Sequence, residues 1–241
     1  MTITFGILLF IVALLYASVG HGGASGYLAL MALYGFAPDV MKPTALILNL
    51  FVSLSSFLLF YKGGHFKWKI FIPFIITSIP LSFLGGAISL DALVYKKILG
   101  ILLLIPVARF FLYPNTDDKD LKSPHIALSL LVGGVIGFLS GLIGIGGGIL
   151  LSPFLLMAKW TNQKQTAAIS AVFIFVNSLA GLAGQISKGF SADLQIVNLI
   201  VVAFVGGLLG AWMGSLRLNQ QVLKITLAIV LLLASIKLLA T

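Results

Sequence analysis

Two apolar stretches, roughly residues 3–35 and 126–158, are too apolar to leave a bilayer and too long to cross it once. At 1.5 Å per residue each would make a helix about 50 Å long, against a hydrocarbon core of about 30 Å. Both contain a glycine cluster: GHGGASG from Gly20 to Gly26, and GIGGG from Gly144 to Gly148. An unpaired backbone group in hydrocarbon costs several kcal/mol. Irregular backbone therefore survives there only where it is buried in protein or lines a cavity. Glycine permits both the turn and the close approach of another group. The pattern predicts that each stretch is broken at its glycines. The alternative for GIGGG is close helix packing of the GxxxG kind, the role that suits Gly85, Gly86, Gly206, Gly207 and Gly210. Three successive glycines followed by ILLSP fit a break better. A soluble phosphate loop is excluded, because GxxxxGK[ST] is absent.

Six further apolar stretches, roughly 44–61, 70–90, 93–112, 166–186, 194–215 and 221–240, have spanning length. With 60% hydrophobic and 9% charged residues, the chain lacks the charged surface of a soluble globule. It reads as a multi-pass protein of the plasma (inner) membrane. The net charge of +9 could suggest nucleic acid. The basic residues lie mostly between apolar stretches, however, where they set topology and meet lipid headgroups. The first apolar run has no basic residue before Lys42, so it reads as a retained membrane segment rather than a signal peptide. No cysteine is present, which removes disulfides, thiolate metal sites and iron–sulfur clusters. Three histidines and six carboxylates are too scattered for a metal site, and no cofactor is expected.

The polar segment YPNTDDKDLKSPH, residues 113–125, separates two halves, 1–112 and 126–241. Shifting the sequence by 124 places Gly20, Gly22 and Gly23 on Gly144, Gly146 and Gly147, and Ser53 on Asn177. The expected fold is all-α and polytopic: two homologous repeats, each with a glycine-broken first helix and three spanning helices. If each broken segment crosses once, the repeats are parallel. If each is a re-entrant hairpin, they are inverted. The hairpin count gathers ten of the fifteen Lys and Arg on one side, including Lys62, Arg109, Lys122 and Arg217. The positive-inside rule then favours inverted repeats with both termini outside.

A break creates a helix N-terminus at membrane depth, with free N–H groups and about half a positive charge. Two such ends suit an anion. Candidate binding residues are therefore Gly20, His21, Gly22, Gly23, Ala24 and Ser25 in the first cluster, and Gly144, Gly146, Gly147 and Gly148 in the second. Asn49 and Ser53 share a helix face, and Asn177 lies on a similar stripe with Ser170 and Gly181. These neutral donors could complete an anion's shell or simply bond between helices. His21 could take up a proton, or be satisfied by nearby carbonyls. No Lys or Arg is expected deep in an apolar stretch.

The strings GFLSGLIGIGGGILLSPFLL, TAAISAVFIFVNSLAGLAG and GGLLGAWMG resemble the TauE/SafE family of sulfite and organosulfonate exporters (the sulfonate permease group). The first half departs from the pattern, with Ala24 opposite Gly148 and Ala29 opposite Pro153. The resemblance implies a secondary transporter of a small sulfur anion such as sulfite, thiosulfate or an organosulfonate, exported rather than imported. A carrier of another small anion and an anion channel remain alternatives, and an enzyme is disfavoured. Expected partners are the anion, coupled protons, membrane lipids and a second copy of the chain in a homodimer, but no nucleic acid.

Overall fold

The computed structural model describes residues 3–18, 22–112, 121–190, 195–215 and 220–240. Every regular element among them is an α-helix: α1 (Ile3–Ser18), α2 (Ala24–Leu33), α3 (Pro38–Lys62), α4 (Trp68–Ala87), α5 (Ala92–Leu112), α6 (Ile126–Ile143), α7 (Gly148–Met157), α8 (Gln163–Ile186), α9 (Gln195–Ser215) and α10 (Gln220–Ala240). Helices satisfy their own backbone, which is what an apolar solvent demands. Five are long and apolar enough to cross a membrane: α3, α4, α6, α8 and, over 196–213, α9. Ile76, Leu131 and Trp212 point outward at 60% exposure or more, while Asn49, Ser53, Ser140, Ser170, Asn177 and Ser178 are fully buried. Polar groups inside and apolar groups outside is the arrangement lipid imposes.

Both long stretches are broken at their glycines. α2 starts after Gly23 at φ +92°, and α7 after Gly147 at φ +78°. A side chain at these two left-handed positions would strain the backbone, so the reversal falls on glycine. In each stretch the residues just beyond the short helix come back beside the start of the stretch. Phe5 at the start of α1 stacks on Phe36 at 5.2 Å and meets Tyr34 edge-on at 5.1 Å, beyond the end of α2. In one continuous helix Phe5 and Tyr34 would be about 44 Å apart. Ser25 Oγ donates to Tyr16 OH across this hairpin at 2.9 Å. In the second hairpin the Lys122 N–H donates to the Lys159 carbonyl at 2.7 Å, joining the approach to α6 to the exit from α7.

The two hairpins are exchanged. α1 packs on α9 and α6 on α4, while α3 and α8 cross between them. Small residues make this close: Gly133, Gly137 and Gly141 of α6 lie against the backbone of Phe74, Ser78 and Ser82 in α4. Gly206 and Gly210 of α9 lie against the carbonyls of Phe10 and Leu14 in α1. Gly85 and Gly86 likewise meet the backbone of Phe138 and Gly181, the packing role expected of them.

α3 begins six residues before the apolar stretch that suggested it. Pro38 occupies its first turn, where a missing N–H costs nothing. Lys42 is therefore inside a spanning helix and only 5% exposed, which corrects the expectation of no deep basic residue. α8 begins with a capping box, Asn162 Oδ1 accepting from the Gln165 N–H at 2.8 Å.

Candidate functional site at the two helix breaks

Asn49 lies near the midpoint of the 25-residue α3, and Ile174 near the midpoint of the 24-residue α8. Both glycine breaks reach this level. A methyl carbon on Gly22 would lie 2.7 Å from Asn49 Oδ1 and 2.8 Å from Ile174 Cγ2. One on Gly146 would strike Asn49 Nδ2 and lie 2.9 Å from Ile174 Cγ2 and 3.2 Å from Ser178 Oγ. The two register-matched glycines thus flank one amide, and no larger residue fits at either place. Gly148 packs on the same Ile174 and lies 3.1 Å, at its would-be Cβ, from the Ser170 carbonyl.

The helix starts that follow these glycines, those of α2 and α7, have no side-chain caps. In α7 the first N–H groups bonded within the helix are those of Leu150 and Leu151, to the Gly147 carbonyl at 3.1 and 3.0 Å. The N–H groups of Gly148 and Ile149 precede them and have no intrahelical acceptor. In α2 the first is the Tyr27 N–H, to the Gly23 carbonyl at 2.9 Å, leaving those of Ala24, Ser25 and Gly26. Each end carries the positive pole of its helix.

The described side chains around these ends are neutral. Asn49 Nδ2 donates to Ser178 Oγ at 3.3 Å, and Asn49 Oδ1 has no donor. Ser53 Oγ donates to the Asn49 carbonyl at 2.6 Å, and Asn177 Nδ2 to the Phe173 carbonyl at 2.9 Å. Those two bonds are equivalent in the 124-residue register, each reaching one turn back in its own helix. The hydroxyl proton of Ser53 is therefore already committed. Asn177 Oδ1 is buried without a donor, and Tyr27 OH is in the same state. The phenol lies directly over Gly23, 2.6 Å from where a Cβ would stand. Unsatisfied buried oxygens are uncommon and mark places where another group or a rearrangement is needed.

Of the expected site residues, Gly22, Asn49 and Gly146 meet, with Gly23, Ala24, Gly147 and Gly148 forming the adjoining helix starts. Ser25 is tied to Tyr16 instead. Gly144 caps the end of α6 at φ +89° and lies against Lys42. Gly20 and His21 fall outside the described residues, as do most of the central linker and Arg217. Ser178, Ile174 and Tyr27 are additions that the sequence did not single out; only the polar Asn177–Ser178 pair hinted at the first. Among the described residues no three His, Asp or Glu side chains are grouped to hold a metal ion.

The family model of the sulfite exporter TauE/SafE matches residues 5–238. A "Probable membrane transporter protein" of Sinorhizobium fredii is 40% identical over 234 residues, covering 95% of both chains. One of Methanocaldococcus jannaschii is 30% identical over 204 residues, covering 79% of this chain and 75% of the relative. One of Bacillus subtilis is 26% identical over 216 residues, covering 81% and 79%. No solved structure matches the chain significantly. The family match spans nearly the whole sequence, its relatives are named as transporters rather than enzymes, and the helices are those of a membrane protein: this chain is a multi-pass membrane transporter of the TauE/SafE family.

Proposed function

We propose that the chain is a secondary carrier of a small sulfur-containing anion, sulfite, thiosulfate or an organosulfonate, and that it works as an exporter. The observation that carries this is the approach of Gly22 and Gly146 to one buried amide, Asn49, beside two uncapped helix starts. An anion held there meets oriented N–H groups instead of a fixed cation. Such an arrangement binds charge yet lets it go. The family's description supports the choice of sulfite. Outward movement of an anion also runs with an inside-negative potential, by about 2.3 kcal/mol per charge per 100 mV. His21 supplies the proton linkage. If its charged form aids binding, affinity falls as pH rises, and His21→Gln flattens that dependence.

The division at residues 113–125 into two repeats, and their inversion, belong to the same proposal. Each hairpin returns to its own side and three helices then cross, an odd number per half. With the linker inside, both ends of the chain lie outside.

A flux panel in proteoliposomes tests the substrate, using sulfite, thiosulfate, sulfoacetate, taurine and sulfate. Saturable movement of sulfite or a sulfonate, with sulfate excluded, is expected. Movement of none of the sulfur anions would overturn the reading. Single-channel currents in place of saturable flux would make the protein a channel.

A further inference from the structure

Lys42 is buried among carbonyls. Its Nζ donates to Gly85 O at 3.2 Å, Gly86 O at 3.0 Å and Ile88 O at 3.1 Å, all at the C-terminal end of α4. Three donors meet three acceptors, so the ammonium is fully used. These are carbonyls that the end of a helix leaves open, and the negative pole of α4 favours a cation there. Gln185 of α8 donates to Gly86 O as well. The tip of the second hairpin closes over the same place. Gly144 lies with its would-be Cβ 2.9 Å from the Lys42 carbonyl and 3.2 Å from Lys42 Cγ. Tyr95, in the first turn of α5, donates its hydroxyl to the Ile143 carbonyl at 2.8 Å. Polar bonds thus tie α3 and α8 to the end of α4, and α5 to the end of α6, with Gly144 packed between the two groups at one end of the bundle.

Among the described residues the matching position at the other end carries no lysine and a different set of bonds. Lys42 falls on Thr166 in the 124-residue register, and Thr166 bonds only locally, to Thr161 Oγ1 at 2.7 Å and the Asn162 carbonyl at 2.8 Å. Along α3 the same face runs from Lys42 through Ala45 to Asn49, one turn at a time. The Lys42 cluster therefore sits directly above the level where the two breaks meet.

We propose that Lys42 is a positioning residue for transport: its ammonium is the tie that closes one end of the pathway, and opening on that side requires it to leave the α4 carbonyls. This rests on reading the core around Asn49 as the pathway. It does not depend on which anion passes. In the hairpin topology this end faces outside.

The chain has no native cysteine, so Ala45→Cys gives a single probe between Lys42 and Asn49. Ala45 is fully buried. A membrane-impermeant thiol reagent is applied to reconstituted protein from either face, without any anion. Slow labelling from both faces is expected with Lys42 intact. Lys42→Met should speed labelling about tenfold from the face at its own end only, because three carbonyls lose their donor. Lys42→Arg should keep labelling slow. Sulfite flux should fall about tenfold in Lys42→Met and largely return in Lys42→Arg. Unchanged labelling in monodisperse Lys42→Met protein overturns the proposal and leaves the lysine a plain helix cap. Equal acceleration from both faces overturns it too, as general loosening. Should Lys42→Met not fold, Gln185→Leu removes the second donor to Gly86 O and should speed labelling from the same face alone, about threefold. No change there counts against the tie. The labelling uses no substrate, so it stands or falls separately from the flux panel.

Discussion

Asn49 presents one amide to two opposing backbones, with Gly22 on one side and Gly146 on the other. Its nitrogen is bonded to Ser178 and its oxygen is open. Asn49→Ala removes that amide without adding bulk. Anion affinity should weaken by about 1 kcal/mol, roughly fivefold, the scale of a neutral hydrogen bond. Binding isotherms on purified protein check this, and an unchanged affinity would take Asn49 out of the site. Gly146→Val should abolish flux at matched membrane expression, since the new side chain would occupy the space of Asn49 and Ile174. Gly207→Ala should be mild. The atoms nearest its methyl group would be those of the Val52 side chain, at 2.9 Å and beyond, rather than backbone. The glycines themselves were legible, because three in succession inside an apolar run have no helical use. The partner across the gap was not. Which residue of α8 faces Asn49 depends on how two distant helices cross, and local spacing carries no record of that. Lys42 was missed for another reason. Asp39, Lys42 and Pro43 look like loop composition, yet Pro38 starts the helix and the lysine finds its acceptors 43 residues away.

At the scale of elements, the broken stretches could be read as two helices each, and the same ten-residue length for α2 and α7 follows from the 124-residue register. That each pair folds into a hairpin was only one of two readings of the loop charges. The contacts that support the hairpin reading, Phe5 on Phe36 and Lys122 on Lys159, join residues that share no motif. Side accessibility tests the proposed topology. A cysteine placed at Thr116 should react poorly with an impermeant reagent on intact cells, and one at Thr241 should react well. The packing between elements gives a second expectation. Gly210→Ala would drive a methyl group into the Leu14 carbonyl of α1, and backbone cannot step aside as a side chain can. It should cost more than Gly207→Ala in thermal stability of the purified protein. Equal melting temperatures would mean that α1 and α9 separate easily.

For the whole molecule, an electrogenic carrier must feel the membrane field. Export of an uncompensated anion from vesicles should quicken as the interior is made negative, about tenfold for 60 mV acting on one full charge. A rate indifferent to an imposed potassium diffusion potential would mean that protons travel with the anion in equal charge. The exchange of hairpins, α1 onto the second half and α6 onto the first, also bears on how the protein is made. Residues 1–112 leave the ribosome with Phe74, Ser78 and Ser82 of α4 awaiting the glycine face of α6, and with α1 awaiting α9. The glycine faces of α6 and α9 are buried only once both halves of the sequence are present. A chain cut within 113–125 should yield two fragments that are degraded when expressed singly and recover function when made together.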